Sequence, residues 1–401
     1  MRVPLHYNLK SLFYRKTATA LTVLAIALTV GVLVILLGVQ QGFKESVTGT
    51  GRPDNVMCIR KGSTSEGGSS ISRDDFSRIR SAPGIAKGAD GQPLISAEMY
   101  AGVTLPRVGG GGLTNVSIRG VQLGSFEIRG TEIINGRRFR PGVREVVVGS
   151  ALTRRIAGCA VGGTVRIGKD EWPVVGVLAA GGTAFDSEIW GDVESVMQTF
   201  DSQWFSTTVM RCADGMSIGD PAVWEDGEMT SAGTGLVGQI TERAATILAQ
   251  SERSYFEGQA GFLGGALMFM SIFLTTLMAF GALAGCTNTL LAAVAGRTRE
   301  IGGLLAIGFR PWQVFVGFLA EALVLALLGA AIGILCALPL SGLETGTTNW
   351  QTFTEQAFTF EVNGTVIITA VLLAVAVGLL GGVLPAWRAS RLRPVDALRR
   401  G

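Results

Sequence analysis

Residues 18–39 run for 22 positions without a single charge. As a helix rising 1.5 Å per residue, such a stretch is about 33 Å long, enough to cross the hydrocarbon core of a bilayer. Three further apolar blocks follow in the last third of the chain, at 262–295, 314–340 and 366–386, and a long polar stretch separates them from the first. Backbone groups inside a bilayer must be satisfied within their own segment, so each block is expected to be a helix. Only 16% of residues are charged and 56 of 401 are glycine, and the mean hydropathy is +0.40, values outside the range of an ordinary soluble enzyme. The first block is too long for the core of a secretory signal, roughly 7–15 residues, and ends in no A-x-A-like site, so it reads as a retained span.

Lys and Arg near the span ends set the orientation. Arg2, Lys10, Arg15 and Lys16 precede the first span, Arg297, Arg299 and Arg310 lie between the second and third, and Arg388, Arg391, Arg393, Arg399 and Arg400 follow the fourth. The connection 341–365 holds Glu344, Glu355 and Glu361 but no Lys or Arg. These asymmetries predict a cytoplasmic segment at 1–17, a first span at 18–42, and an external domain at 43–258. A stalk and second span follow at 259–296, a cytoplasmic linker at 297–313 and a third span at 314–340. An external loop at 341–365, a fourth span at 366–386 and a basic cytoplasmic tail at 387–401 complete the order. The fold class is thus an integral membrane four-helix protein with a large α+β extracytoplasmic domain between helices 1 and 2.

The insert is long enough to carry its own core, in two lobes. Asn55-Val-Met-Cys-Ile-Arg60 has strand character, and Ser72 followed by Asp75 is an N-cap signal for a helix bearing Phe76 and Ile79. Farther on, Arg144 to Gly149 reads as a strand, Ser150 to Ile156 as a short helix, and Thr164 to Ile167 and Trp172 to Leu178 as a pair of strands. The stretch 239–259, with Ile240, Ala244, Ile247 and Leu248 at helical spacing, is expected to be a helical stalk. The glycines at 67–68 and 109–112 read as connections.

Chemistry is excluded mainly by inventory. His6 is the one histidine and falls in the cytoplasmic segment, so no Ser-His or Cys-His pair can assemble outside. Gly215-Met-Ser-Ile-Gly219 fits the G-x-S-x-G pattern but lacks a preceding apolar strand and reads as a turn. No C-x-x-C pair occurs, which argues against zinc, and Cys58, Cys159 and Cys212 allow at most one external bridge or three buried thiols. No cofactor, metal or nucleic-acid partner is expected. No G-x-x-x-x-G-K-[ST] loop occurs in these residues, so the chain is not read as an enzyme, and ATP hydrolysis is expected of a partner.

The linker carries the most specific pattern. Ile301, Leu304 and Leu305 recur at i, i+3 and i+4, Gly308 stands at a C′ position, and Pro311 suits the first turn of the next helix. A short helix results, offering its apolar face and Arg297, Arg299 and Glu300 to a protein beneath the membrane; the same pattern suits a helix lying on headgroups. Glu321 is the one ionisable group inside an apolar run and reads as a helix-to-helix contact, a proton relay having no second carboxyl to serve it. Four G-x-x-x-G pairs, Gly261/Gly265, Gly281/Gly285, Gly329/Gly333 and Gly378/Gly382, permit close helix approach, with a dimer seam as one use.

Arg299-Glu-Ile-Gly302 with Ala306-Ile-Gly308, Glu321-Ala-Leu and Gly329/Gly333 resembles the signature of permease subunits in the MacB/FtsX-like family of ABC transporters. Arg15-Lys-Thr-Ala-Thr-Ala-Leu-Thr22, Gly136-Arg-Arg-Phe139 with Glu145 to Ser150, and Leu384 to Ser390 with Arg393 to Arg399 resemble the same family. Gly303 and Leu305 depart from it, standing where an apolar and a basic residue are usual. The resemblance implies a bacterial inner-membrane permease, paired with a second copy or a paralogue and docked on a separate cytoplasmic ABC ATPase. It also implies mechanotransmission to the external domain, for export or extraction of an envelope substrate. A periplasmic adaptor or effector is a further implied partner, and activation of a wall hydrolase an alternative role. A membrane-anchored sensor and an ion-coupled transporter are the readings from other classes; four spans with one buried carboxyl suit the latter poorly.

Overall fold

A computed structural model describes residues 16–221, 223–225, 228–231, 233–349 and 354–393. His6 and most of the two basic termini lie outside the described residues. The chain divides into two compact units, one of residues 1–41, 265–343 and 360–401, the other of residues 42–264 and 344–359.

The spans are four helices, Lys16–Thr48, Glu252–Gly296, Pro311–Ala337 and Gly364–Ser390, all long and apolar enough to cross a membrane, the first two having residues in both units. Their ends follow from local chemistry. Pro311 opens the third helix, where its missing N–H costs nothing, and the preceding Arg310 N–H donates to Gln313 Oε1 at 3.0 Å. Asn363 caps the fourth by accepting from the Val366 N–H at 3.0 Å. Pro385 inside that helix cannot donate to the Gly381 carbonyl four residues back, and the Thr287 hydroxyl from the second helix takes the carbonyl at 3.0 Å instead.

Small residues let the helices close in. A Cβ on Gly329 would meet Ile26 at 2.8 Å, and one on Gly333 the Ala27 carbonyl at 2.5 Å. On the fourth helix, Gly378 and Gly382 face Ala326 and Ala322, each at 2.6 Å. Gly261, Gly265, Gly281 and Gly285, by contrast, have nothing within 4 Å. Four pairs that look alike in sequence therefore divide into two that pack within the subunit and two that stand open.

The second unit is built on one continuous sheet. Its strands are β1 (Asn55–Arg60), β2 (Ile95–Pro106), β3 (Leu113–Val121), β4 (Glu132–Gly136), β5 (Val146–Gly149), β6 (Thr164–Ile167), β7 (Asp170–Ala179), β8 (Glu188–Asp192), β9 (Thr207–Arg211) and β12 (Ile247–Ser251). They run in the order β12-β1-β9-β2-β3-β8-β5-β7-β4, with β6 paired to β7. β10 (Val223–Glu225) and β11 (Glu228–Ser231) form a separate pair. Where two lobes were expected, two apolar cores share this sheet. One gathers Val56, Cys58, Ile79, Leu236 and Ile240, the other Ile118, Val148, Trp172 and Ile189. The helix Arg73–Arg80 begins as its residues dictate, with Ser72 Oγ accepting the Asp75 N–H at 3.0 Å.

Residues 239–259 correct the sequence reading. A helix ends at Arg243, Ile247–Ser251 forms β12 against β1, and the long helix starts only at Glu252. Ile240 and Ala244 stay in the first core, and Ile247 and Ala249 point into it as alternate positions of a strand. The helical spacing was real in the residue list, but pairing the edge of β1 satisfies more backbone than one more helical turn.

The connection 341–365 is also more than a loop. β13 (Glu344–Asn349) and β14 (Thr354–Thr359) make a hairpin that belongs to the second unit. Glu355 takes Thr114 Oγ1 at 2.7 Å and pairs with Arg107 and Arg155. Ser117 Oγ donates to Thr354 Oγ1 at 2.9 Å, and the Ala357 N–H donates to Ser187 Oγ at 2.8 Å.

Cys58, Cys159 and Cys212 are buried and free. Burial pushes the Cys58 thiol up and the Cys159 thiol up to about 12, which disfavours the reactive thiolate. A water-soluble maleimide is therefore expected to leave Cys58 and Cys159 unmodified in the native protein and to label both after denaturation without reductant. Intact-mass analysis reads the difference, and native labelling of Cys58 would contradict the packing.

Candidate functional site at the linker helix

The linker helix spans Thr298–Ala306. Its end is a complete Schellman motif, in which the Gly308 N–H reaches Leu305 O at 3.2 Å and the Phe309 N–H reaches Leu304 O at 3.1 Å. Gly308 adopts φ +103°, a backbone that side-chain-bearing residues rarely take. The turn hands the chain directly to Arg310 and the third span.

The faces of this helix are not used as its spacing suggested. Ile301 is 3% exposed and packs with Val294, Val314, Phe318, Ala386 and Ala389, with Leu305 against the same cluster. The apolar stripe thus seals the end of the chain's own bundle, and Ile301 is withdrawn from the docking surface. Leu304 is half-buried. Arg297 also turns inward, its guanidinium 3.6 Å from the Glu321 carboxylate, with side-chain exposures of 17% and 4%. Pairing two such groups lowers the cost of keeping either from water and ties the start of the linker to the third span. What remains outward is Arg299, Glu300, Ala306 and Gly308, with Ile307 at 75% exposure. Ile307 was missed because it lies past the last helical turn, outside the periodic set.

A second charged constellation escaped the sequence reading altogether. In the soluble unit, Arg119 and Arg129 lie buried among Glu66, Glu98, Glu188 and Glu252. Arg119 Nε donates to Glu188 at 2.7 Å and Arg119 Nη1 to Glu98 at 2.9 Å, and it also pairs with Glu66. Arg129 bridges Glu98 and Glu252, each at 2.6 Å. Glu252, the first residue of the long second helix, further accepts from Asn55 Nδ2 at 2.8 Å and from the Arg52 N–H at 3.1 Å. Aromatic faces close the cluster, with Phe185 lying 4.5 Å from the Arg129 guanidinium carbon. A usable signal existed, since Glu98 and Arg119 each interrupt strand-like apolar runs. Among the described residues no group of three or more His, Cys, Asp or Glu side chains is arranged to hold a metal ion.

Two family descriptions fit this architecture. Residues 19–220 match the MacB-like periplasmic core domain, and residues 272–394 match the FtsX-like permease C-terminal domain. The chain belongs to the MacB/FtsX-like family of ABC transporter permeases. It is 30% identical to the macrolide export ATP-binding/permease protein MacB of Hahella chejuensis over 71% of this chain and 43% of that protein. It is 23% identical to the uncharacterized ABC transporter permease YknZ of Bacillus subtilis over 98% of this chain and 97% of that one. Among solved structures it resembles the periplasmic region of MacB from Actinobacillus actinomycetemcomitans, with a TM-score of 0.37 and 13% identity, over 52% of this chain and 94% of that one. The chain spans about half the length of the curated MacB relatives it matches, 43%, 47% and 58% in three of them. This MacB/FtsX-like permease is a multi-pass membrane protein with an α+β extracytoplasmic domain.

Proposed function

We propose that this permease converts ATP hydrolysis by an ABC ATPase on another polypeptide into movement of its extracytoplasmic domain, for export or extraction of an envelope substrate. The observation that carries this reading is the linker helix, whose inner face is fixed in the bundle while Arg299, Glu300 and Ile307 face outward. An element held by one face and open on the other suits the transfer of a rigid-body push. Lys16–Thr48 and Glu252–Gly296 are unbroken helices with residues in both units, which favours transmission along them. Orientation with the linker and both ends in the cytoplasm follows from the arginine asymmetry. A second copy or a paralogue is placed on the open face of the second span, where Gly281 and Gly285 are unopposed.

The test is affinity capture of the ATPase by the full chain in detergent. Arg299→Glu combined with Ile307→Asp is expected to weaken the complex about tenfold or more, as loss of an interface hot spot does. Ile301→Asp should instead damage the bundle itself. Undiminished capture by the Arg299→Glu/Ile307→Asp variant would remove the linker from the coupling route.

A further inference from the structure

A groove of about 820 Å3 opens beside the linker, where the third span begins and the fourth ends. Phe309, Trp312, Phe315, Trp387 and Leu392 give it an apolar wall, and Arg391 enters from the rim. Trp312 and Phe315 stack with centroids 5.4 Å apart, and the Arg391 guanidinium carbon lies 4.6 Å over the Trp387 ring. Both indoles are substantially exposed, 68% for Trp312 and 47% for Trp387. Arg310, Arg388, Arg391 and Arg393 are exposed on the segments that line it, and no Asp or Glu occurs in 301–320 or 362–393.

An apolar trough with a cationic rim, set at the ends of two membrane-crossing helices, is complementary to an amphiphile with an anionic head. Tryptophans at the bilayer boundary are common and by themselves select no lipid. The stacked Arg391 changes that, because a guanidinium held over a ring keeps its donors directed outward and binds phosphate better than a free ammonium would. We propose that this groove seats an acidic phospholipid, with the phosphate at Arg391 and the upper acyl chain along Trp312, Phe315 and Trp387. The assignment goes beyond the ATP-driven reading and does not depend on it.

The experiment uses the full chain in phosphatidylcholine nanodiscs carrying a small fraction of acyl-brominated phosphatidylglycerol or, in parallel, the same fraction of brominated phosphatidylcholine. Bromine quenches indole fluorescence on contact. Phosphatidylglycerol is expected to quench more strongly, with an apparent enrichment of about fivefold for one engaged arginine. The excess should vanish in Arg391→Glu and in the Trp312→Phe/Trp387→Phe variant. Equal quenching by the two lipids overturns the proposal, as does an excess that survives either change. If saturating ABC ATPase removes the excess and Arg391→Glu weakens that complex, the groove is a protein-docking surface and the lipid assignment fails. Should a variant lose its native elution profile, the comparison of the two lipids on the unaltered protein decides.

Discussion

Arg119→Met is expected to unfold the extracytoplasmic domain or bring it close to unfolding. The substitution keeps the volume and removes the charge, leaving Glu66 and Glu188 buried without their cation and Glu98 with Arg129 alone. Removing one partner from a buried ion pair costs about 3–5 kcal/mol, against a total stability of about 5–15 kcal/mol for a typical protein. In thermal unfolding of the detergent-solubilised chain followed by circular dichroism, the midpoint should fall by about 10 °C or more. Adding Glu66→Gln and Glu188→Gln should restore part of the loss, because the destabilisation comes from uncompensated charge and not from lost packing. A midpoint unchanged from the parent would show that water reaches the cluster.

Within the same cluster Glu98 makes folding sensitive to acid, whereas burial raises the Glu252 carboxyl above its ordinary value despite Arg129. Burial drives the Glu98 carboxyl upward, but Arg129 and Arg119, together with hydrogen bonds from Arg129 and Ser125, outweigh burial and hold it below its ordinary value. A folded value below the unfolded one, about 4.3 for Glu, gives stability that is complete above that pH and is lost as pH falls through the folded value. Arg119→Met takes away one of the depressing charges, so less stability hangs on Glu98 staying ionised, and the gap between variant and parent measured at neutral pH should narrow as pH falls.

Gly333→Leu is the second substitution with a large expected effect. Its first added carbon would lie 2.5 Å from the Ala27 carbonyl and 3.0 Å from the Gly31 nitrogen, both backbone atoms that cannot rotate away. The first and third spans must then separate, at a cost of about 1–3 kcal/mol or more, and the subunit should lose its single sharp elution peak in detergent. Gly281→Leu is the contrasting case. With nothing within 4 Å of that position, the subunit should fold as before, and any loss should appear as dissociation of the proposed pair, read as particle mass by light scattering. Native elution of Gly333→Leu would refute the close approach of these helices.

Those two glycines show where the residue list stops informing. Each span announces itself by an apolar run, uncharged except for Glu321 in the third, because a charged side chain is costly in lipid. The end of the linker helix is as legible, since Gly308 and Pro311 act through local backbone geometry. What covers a given face is not local. Ile301, Leu304 and Leu305 share a side of one helix whether that side meets the bundle or another protein, and only Val314, Phe318 and Ala386, brought in by later helices, settle it. Ile247 and Leu248 became strand because β1 offered an edge some 190 residues earlier in the chain. The buried arginines are harder still, as charge normally marks a surface and their carboxylate partners here come from four separate segments.

The hairpin of β13 and β14 carries a practical warning about cutting this molecule apart. A fragment excised at the obvious borders, 42–264, omits sixteen residues of its own architecture, 344–359. Arg107 and Arg155 would then be stripped of Glu355, and Tyr100 and Ser117 of Thr354. Such a piece would present a raw, polar scar that the intact polypeptide covers in part, and ligands found sticking there would report on the scissors and not on the biology. Grafting 344–359 back through a short tether would heal the wound before any binding is measured.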